Sequence, residues 1–312
     1  MYFDNKNNFF HGIMFHHFHD EQNHLPSQGS INLSDLRKIL DYAQENYNLI
    51  SPDEYLYKIR KHSLDPKDTC LSFDDGIKSQ FDIAAPELND RNISAFYFIY
   101  TSIITDSPSL LEFNRDFRHY IYNKIDDYYV DFFSEFKNQH PKYHKQYIAQ
   151  YSDNYLSKAP YYSDNDKRYR YIRDNILKKD YQDIVSSLMY KKNYSIEKRK
   201  INLLMDENNI KSLYASGNTI GLHSHTHPTK MSMQPYKSQQ SEFATNKEML
   251  ESVIDKNITS MAHPCGDYNN DTLKILTDLK VEIGFRSTMI PNTINSHLEI
   301  PRTDHSNLIK LL

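Results

Sequence analysis

An α/β architecture with a parallel sheet is what this chain predicts, on three observations. Apolar, β-prone runs alternate with amphipathic helical patterns through residues 68–100. Strand, helix and strand in succession is the pattern of a parallel core. The same alternation resumes after residue 217, through 258–262, 271–279 and 281–285. Between these stretches, from about residue 104 to 210, strand alternation stops, and 15 of the 25 tyrosines lie between residues 111 and 200. The expected design is therefore an α/β body interrupted by a helical insertion.

Taken in order, residues 9–18 (Phe-Phe-His-Gly-Ile-Met-Phe-His-His-Phe) read as a buried strand ending in histidines. In residues 32–46, Leu33, Leu36, Ile39, Leu40 and Ala43 recur at helical spacing, with Asn32 or Ser34 available as N-cap. Residues 47–50 form a short strand, and Ser51-Pro52-Asp53-Glu54 opens a helix with proline in its first turn. Residues 68–76 are an apolar run closing on Asp74-Asp75-Gly76, the central strand. A helix over 81–89 leads to the β-prone run 94–100. Inside the insertion, 110–137 and 169–190 read as helices. Pro228 disfavours helical backbone at His227, which puts the histidines before it on a strand-end loop. Pro235 opens a helix towards residue 254, with Phe243, Met249, Leu250 and Val253 as its core face. Residues 258–262 are a strand, 271–279 a helix, 281–285 a strand and 298–304 a last strand or edge segment.

The 312 residues, 38% hydrophobic and 13% aromatic, suffice for one large or two small domains with a real core. A formal net charge of −4 gives no reason to propose a nucleic-acid partner. Two cysteines, Cys70 and Cys265, are too few for a disulfide framework, and both are expected to be reduced and buried. No segment approaches the ~20 apolar residues of a membrane span. The start, Met1-Tyr2-Phe3-Asp4-Asn5-Lys6, lacks a basic-then-apolar leader, so the expected location is cytoplasmic.

Two adjacent aspartates in a regular strand point to opposite faces. At a strand end followed by Gly76 they can converge, one carboxylate holding a cation and the other acting as a base beside it. Taken alone, Asp-Asp-Gly also reads as an ordinary turn. Far downstream, His223, His225 and His227 stand at alternate positions and suit a divalent transition metal. An aspartate with two histidines is a ligand set that leaves positions open for water and substrate. The histidine tract alone also reads as a solvated polar turn. Together with Asp74 and Asp75 it points to a catalytic metal site.

These residues carry a resemblance. Ser72-Phe73-Asp74-Asp75-Gly76 resembles the first motif of the polysaccharide deacetylase family, the NodB-homology or carbohydrate esterase family 4 group. His223-Ser224-His225-Thr226-His227, with its approach Ser216-Gly217-Asn218-Thr219-Ile220-Gly221, is similar to the second. Ala262-His263-Pro264-Cys265-Gly266-Asp267-Tyr268-Asn269 resembles the third. The resemblance covers roughly 9–103 and 211–305 and has no counterpart for the insertion. It implies a deformed (β/α) barrel of the NodB type formed by 1–103 and 211–312, with its site at the C-terminal strand ends. Residues 104–210 would be a Tyr-rich helical insertion over the barrel mouth, serving substrate recognition, packing or homo-oligomer formation.

The resemblance further implies that Asp75, His223 and His227 hold a divalent metal, Zn²⁺, and that Asp74 is the base. The backbone N–H of Cys265 would be an oxyanion donor. Met14-Phe15-His16 resembles a Leu-x-His motif that a subset of the family carries at its N-terminus, making His16 the general acid and His17 its rival. The implied activity is metal-dependent removal of an N-acetyl group from an amino sugar, in surface polysaccharide or glycan-precursor biosynthesis. The partner would be an N-acetylated sugar or glycan. The third motif departs from the pattern, with His263 in place of arginine and Cys265 in place of an aromatic residue. Arg302, in Pro301-Arg302-Thr303-Asp304, is the substitute for the arginine that orients the base, an exposed structural arginine being the alternative. Two other readings share these residues: a hydrolase of a non-sugar amide, and a non-catalytic metal- or glycan-binding pseudoenzyme.

Overall fold

The computed structural model describes residues 3–4, 11–157, 163–290, 293–310 and 312. Phe9 and Phe10, at the start of the first expected strand, lie outside the described residues. The strands are β1 Phe3–Asp4, β2 Ile13–Phe15, β3 Asn48–Leu49, β4 Asp68–Thr69, β5 Leu71–Asp74 and β6 Phe96–Ile99. They continue as β7 Thr219–Leu222, β8 Ser260–Ala262, β9 Ile283–Phe285, β10 Thr293–Ile294 and β11 Thr303–Asp304. The helices are α1 Leu33–Asn46, α2 Pro52–Arg60, α3 Ala85–Asp90, α4 Leu111–Ile121, α5 Ile125–Gln139, α6 Pro141–Gln150 and α7 Asp164–Tyr171. After these come α8 Tyr181–Lys191, α9 Ile196–Leu203, α10 Glu207–Ala215, α11 Tyr236–Ile254, α12 Asn270–Asp278 and α13 His305–Ile309. Among the described residues no helix is long and apolar enough to cross a membrane.

The chain divides into two units, Met1–Ser109 with Ile201–Leu312, and Leu110–Lys200. The boundaries lie inside the 104–210 expected from sequence. Ser109 donates its N–H back to Ser102, and α10 packs on β7, so both flanks belong to the first unit.

In the first unit seven parallel strands form one curled sheet in the order β11-β2-β5-β6-β7-β8-β9. β5 and β6 are buried at every position, as in parallel sheets covered on both faces. The segment before β11 joins the two sheet edges. Ile300 bridges to Phe285 on β9, and Thr303 pairs with Ile13 on β2. The apolar cluster of Tyr55, Cys70, Phe96, Phe98, Phe285 and Ile300 draws on strands from both halves of the sheet, which a sheet curled on itself brings together. Next to it, Phe15, Phe73 and Tyr97 stack across β2, β5 and β6, with centroids 5.1 Å and 4.7 Å apart.

Local sequence accounts for most element ends. Asn32 caps α1 in a reciprocal capping box with Asp35, and Ser51 caps α2 ahead of Pro52. The expected helix 81–89 begins as a wide π-type turn over Gln80–Ala84 and becomes regular only from Ala85. Pro86 has no N–H and crowds the carbonyl four residues earlier, which widens the turn. β2 stops at Phe15, so His16 and His17 lie on the loop after it. The two rings stack at 6.2 Å with an 11° interplanar angle. Residues 16–18, read from sequence as part of the strand, therefore lie outside it, and strand alternation does not decide which way His16 and His17 face.

The second unit is helical. Tyr128, Tyr129 and Tyr169 are buried with Phe113, Phe117 and Phe132, so these tyrosines build its core. The Tyr128 and Tyr169 hydroxyls lie 3.5 Å apart, Tyr129 donates to Asp166, and the Arg118 guanidinium sits over the Tyr128 and Tyr169 rings.

Candidate active site

The loops leaving β2, β5, β6, β7 and β8 meet at the C-terminal end of the barrel. Asp74 is the last residue of β5, and Asp75 takes a left-handed φ of 81° while its N–H donates to the Phe98 carbonyl at 3.0 Å. That single backbone turn gives the two neighbouring carboxylates different surroundings.

Asp75 faces the histidines. Its Oδ1 lies 3.3 Å from His223 Nε2 and 3.3 Å from His227 Nε2, and all three side chains are buried. This oxygen has no hydrogen-bond partner although it is buried. His223 Nδ1 donates to the Ala262 carbonyl at 2.8 Å, which leaves Nε2 with its lone pair towards Asp75. A carboxylate oxygen and two imidazole nitrogens, with ligand atoms all within 4.8 Å of one another, form a donor set for a divalent cation. Their 3.3 Å separations suit adjacent ligands bound at about 2.0–2.1 Å. Burial raises the Asp75 carboxyl pKa, but the nearby imidazoles of His227, His223 and His16 outweigh it and hold the group well below the usual carboxylate range. Burial lowers His223, and here Asp75 and Asp74 outweigh it and raise the imidazole.

Asp74 is held by a different partner. Arg302 donates Nη1 to Oδ1 at 2.8 Å and Nη2 to Oδ2 at 2.7 Å, a two-pronged pair. The same guanidinium donates to Ser72 Oγ at 2.9 Å and to the Arg286 carbonyl at 3.0 Å. Arg302 has no exposed surface, which rules out the exposed structural arginine. It reaches Asp74 because the closing segment runs beside β2. Gly12 leaves room for its stem, since a Cβ there would sit 3.0 Å from Arg302 Cγ.

His16 is half-buried, its Nε2 4.0 Å from Asp75 Oδ2 and its Nδ1 3.9 Å from Asp304 Oδ2. Gln80 fixes the backbone here, donating Nε2 both to the His16 carbonyl at 2.8 Å and to the Asp74 carbonyl at 2.6 Å. Cys265 sits in the turn after β8 with φ 53° and is exposed, which corrects the expectation that both cysteines are buried; Cys70 is. Partial desolvation by the surrounding protein, with Asp75 and Asp267 nearby, pushes the Cys265 thiol up to about 11, so it is neutral. His263 is a core residue: Nε2 meets the Leu298 carbonyl at 2.8 Å and the ring stacks on Tyr268 at 4.1 Å. His225 bonds Thr101 Oγ1 through Nδ1 at 2.9 Å and is no part of the donor set.

Sequence reasoning passed over Asp304, Gln80, Glu242 and Asn246. Asn246 and Gln80 are polar residues inside amphipathic or apolar patterns, and buried polar residues need partners; that was the available signal. Nothing local marked Asp304.

Residues 184–284 match the sequence model of the polysaccharide deacetylase family, a stretch that spans the second and third motifs and stops short of Asp74 and Asp75. Several solved structures share the fold along nearly the whole chain. The Streptococcus pyogenes deacetylase PplD in complex with acetate is 15% identical, with a TM-score of 0.54 and 96% of each chain covered. IcaB from Ammonifex degensii is 13% identical, with a TM-score of 0.56, covering 96% of this chain and 94% of that one. A de-N-acetylase from Aggregatibacter actinomycetemcomitans is 14% identical, also at 0.56, covering 96% and 98%. At these identities the likeness is one of fold, and that fold is the deformed NodB-type barrel. No curated protein matches the chain in sequence.

Proposed function

We propose that this chain, which resembles the polysaccharide deacetylase family in sequence and in fold, is a metal-dependent hydrolase that removes an N-acetyl group from an amino sugar. The observation that carries this reading is the division of labour between neighbouring carboxylates. Asp75 offers an unpartnered oxygen to two imidazoles, while Asp74 gives both oxygens to Arg302. One is set up as a ligand and the other as an oriented base.

Asp75, His223 and His227 would hold the cation, and a nitrogen-rich set with one carboxylate suits Zn²⁺. The cation would polarise the amide carbonyl and acidify water beside it. Asp74, oriented by Arg302, takes the proton of the attacking water. The Cys265 N–H donates to the oxygen that gains charge on the former carbonyl. His16 delivers a proton to the sugar nitrogen, since an amine leaves poorly until protonated. Acetate and a free amino sugar are the products. The name of one similar structure, a de-N-acetylase, supports amide rather than ester chemistry. A surface polysaccharide or a glycan precursor is the substrate class that fits this reading.

The test is release of acetate from N-acetylglucosamine oligomers by purified protein, with and without a chelator, beside elemental analysis. Asp74→Asn should keep the metal and lose on the order of 10²–10⁴ of the rate, the usual range for general acid–base catalysis. Asp75→Asn should lose the metal as well. Metal lost from Asp74→Asn and kept by Asp75→Asn would exchange the two roles. Turnover of simple N-acyl amides in preference to the oligomers would point to the non-sugar reading.

A further inference from the structure

The loop that carries His223 and His227 is held on one side by a single face of α11. Ser224 and His227 both take left-handed backbone, φ 65° and 58°, without being glycine. Such residues cost about 1–3 kcal/mol each and persist only where surrounding contacts over-determine them. The Thr101 and Ser102 N–H groups donate to the Ser224 and His225 carbonyls at 3.3 and 2.8 Å, and α11 holds the other side of the loop with side chains. Asn246, fully buried, accepts the His223 N–H through Oδ1 at 2.9 Å. Its amide donates to the Ile99 carbonyl at 2.9 Å and to Thr101 Oγ1 at 3.2 Å. Thr101 in turn bonds His225. One helical turn earlier, Glu242 Oε2 accepts the N–H groups of His225 at 2.9 Å and Thr226 at 2.8 Å, and Oε1 accepts the Thr226 hydroxyl at 2.6 Å. Residues four apart lie on one face of a helix, so both reach the same loop.

Resting on the proposed ligand set, we infer that Glu242 and Asn246 are positioning residues for the metal: they form a clamp that keeps the His223–His227 loop in its strained, ligand-presenting conformation. Neither touches the donor atoms. Their effect runs through the backbone N–H groups of His223, His225 and Thr226. Without them the loop keeps only the Thr101 and Ser102 N–H bonds to the Ser224 and His225 carbonyls, the Thr101–His225 and His223–Ala262 bonds and its internal His227–Ser224 bond, and the two Nε2 atoms are held less firmly in convergence on Asp75. Such indirect supports are worth about 10–100-fold in metal affinity.

The experiment measures Zn²⁺ affinity of the full-length protein by competition with a chromophoric chelator, and the Tm of the metal-free protein, for Glu242→Ala, Glu242→Gln and Asn246→Ala. Gln239→Ala is the control. Gln239 is fully buried on the same helix but bonds the Gln234 carbonyl and Thr272, away from the loop. The expected result is a 10–100-fold loss of affinity in Glu242→Ala and Asn246→Ala, a smaller loss in Glu242→Gln, and wild-type affinity in Gln239→Ala despite a lowered Tm. If Asn246→Ala fails to fold, the Glu242 pair decides. Affinity that falls in step with Tm across all variants, Gln239→Ala included, overturns the clamp, as does wild-type affinity in Glu242→Ala. His227→Ala is run alongside. Unchanged affinity in that variant overturns the ligand set itself, whereas lost affinity there with wild-type Glu242→Ala removes only the clamp.

Discussion

Arg302→Ala is the perturbation that tests the most of this structure at once. Asp74 and Arg302 are 2% and 0% exposed, so the substitution leaves a carboxylate in a dry site with neither of its charged donors. Removing one partner of a buried pair costs about 3–5 kcal/mol. In a body of this size 1 kcal/mol moves Tm by about 2–4 °C, so a fall of roughly 6–20 °C is expected. The pH dependence follows from the same contact. Burial raises the Asp74 carboxyl, but the Arg302 charge and hydrogen bonds, with help from His223 and His16, outweigh it and hold the group below its ordinary value. A carboxyl with a depressed folded pKa contributes stability above its unfolded value, about 3.9, and loses it as pH falls through the folded value. Without Arg302 the Asp74 pKa rises, so the acid limb of the pH–rate profile moves to higher pH and acid unfolding begins earlier. Arg302→Lys keeps the charge but not the fork and should fall between. Differential scanning fluorimetry and acetate release across pH read both effects. A wild-type Tm with an unmoved acid limb in Arg302→Ala would refute the reasoning.

His16→Ala should retain metal and fold while kcat drops on the order of 10²–10⁴, and His17→Ala should stay within a few-fold of wild type; acetate release with elemental analysis checks both, and the reverse ranking makes His17 the acid. Burial pushes His11 and His263 down to about 4, each only partly opposed, His11 by Asp68 and His263 by its bond to Leu298. Both are therefore neutral when folded, and each contributes stability above pH 6.5 that drains away between pH 6.5 and 4, on the order of 3 kcal/mol. His223, shifted upward, works the other way, losing its contribution as pH rises. The difference between wild type and His263→Gln isolates one term: urea unfolding at pH 7 and pH 5 should show the larger loss in wild type, and equal losses would sink it.

The parallel sheet was legible because its strands are local, while the barrel closure came from the resemblance. The runs 94–100, 258–262 and 281–285 each hold one strand and 68–76 holds two, β4 and β5, while Asn32, Ser51 and Asn269 cap the helices that follow them. The donor set was legible because its three residues fall inside two short motifs. What lay beyond the sequence was long-range. Arg302 meets Asp74 only because residues 297–304 join the two sheet edges, and no spacing encodes that closure. The short β2 was missed for another reason: Phe15 and Phe18 are both buried, so the apolar run continues after the ladder has stopped. Length of an apolar run then overstates the strand, and His16 and His17 fall on the loop beyond it.

The backbone at the site explains why propensity gives no hint of it. Asp75, Ser224, His227 and Cys265 all take positive φ, where glycine is the residue with no penalty. Glycine does stand beside two of them, as Gly76 and Gly266, both also at positive φ. Glycine does not occupy Asp75, Ser224 or His227 because a side chain is needed there: Asp75 and His227 supply donor atoms, and Ser224 Oγ accepts the His227 N–H at 3.1 Å. The strain is met by contacts from elsewhere in the first unit, the Phe98 carbonyl for Asp75 and the α11 face for the histidine loop. Local sequence preference and native backbone thus disagree at the positions where the proposed chemistry requires a functional group in a glycine conformation. Those are the positions where tertiary contacts must do the folding.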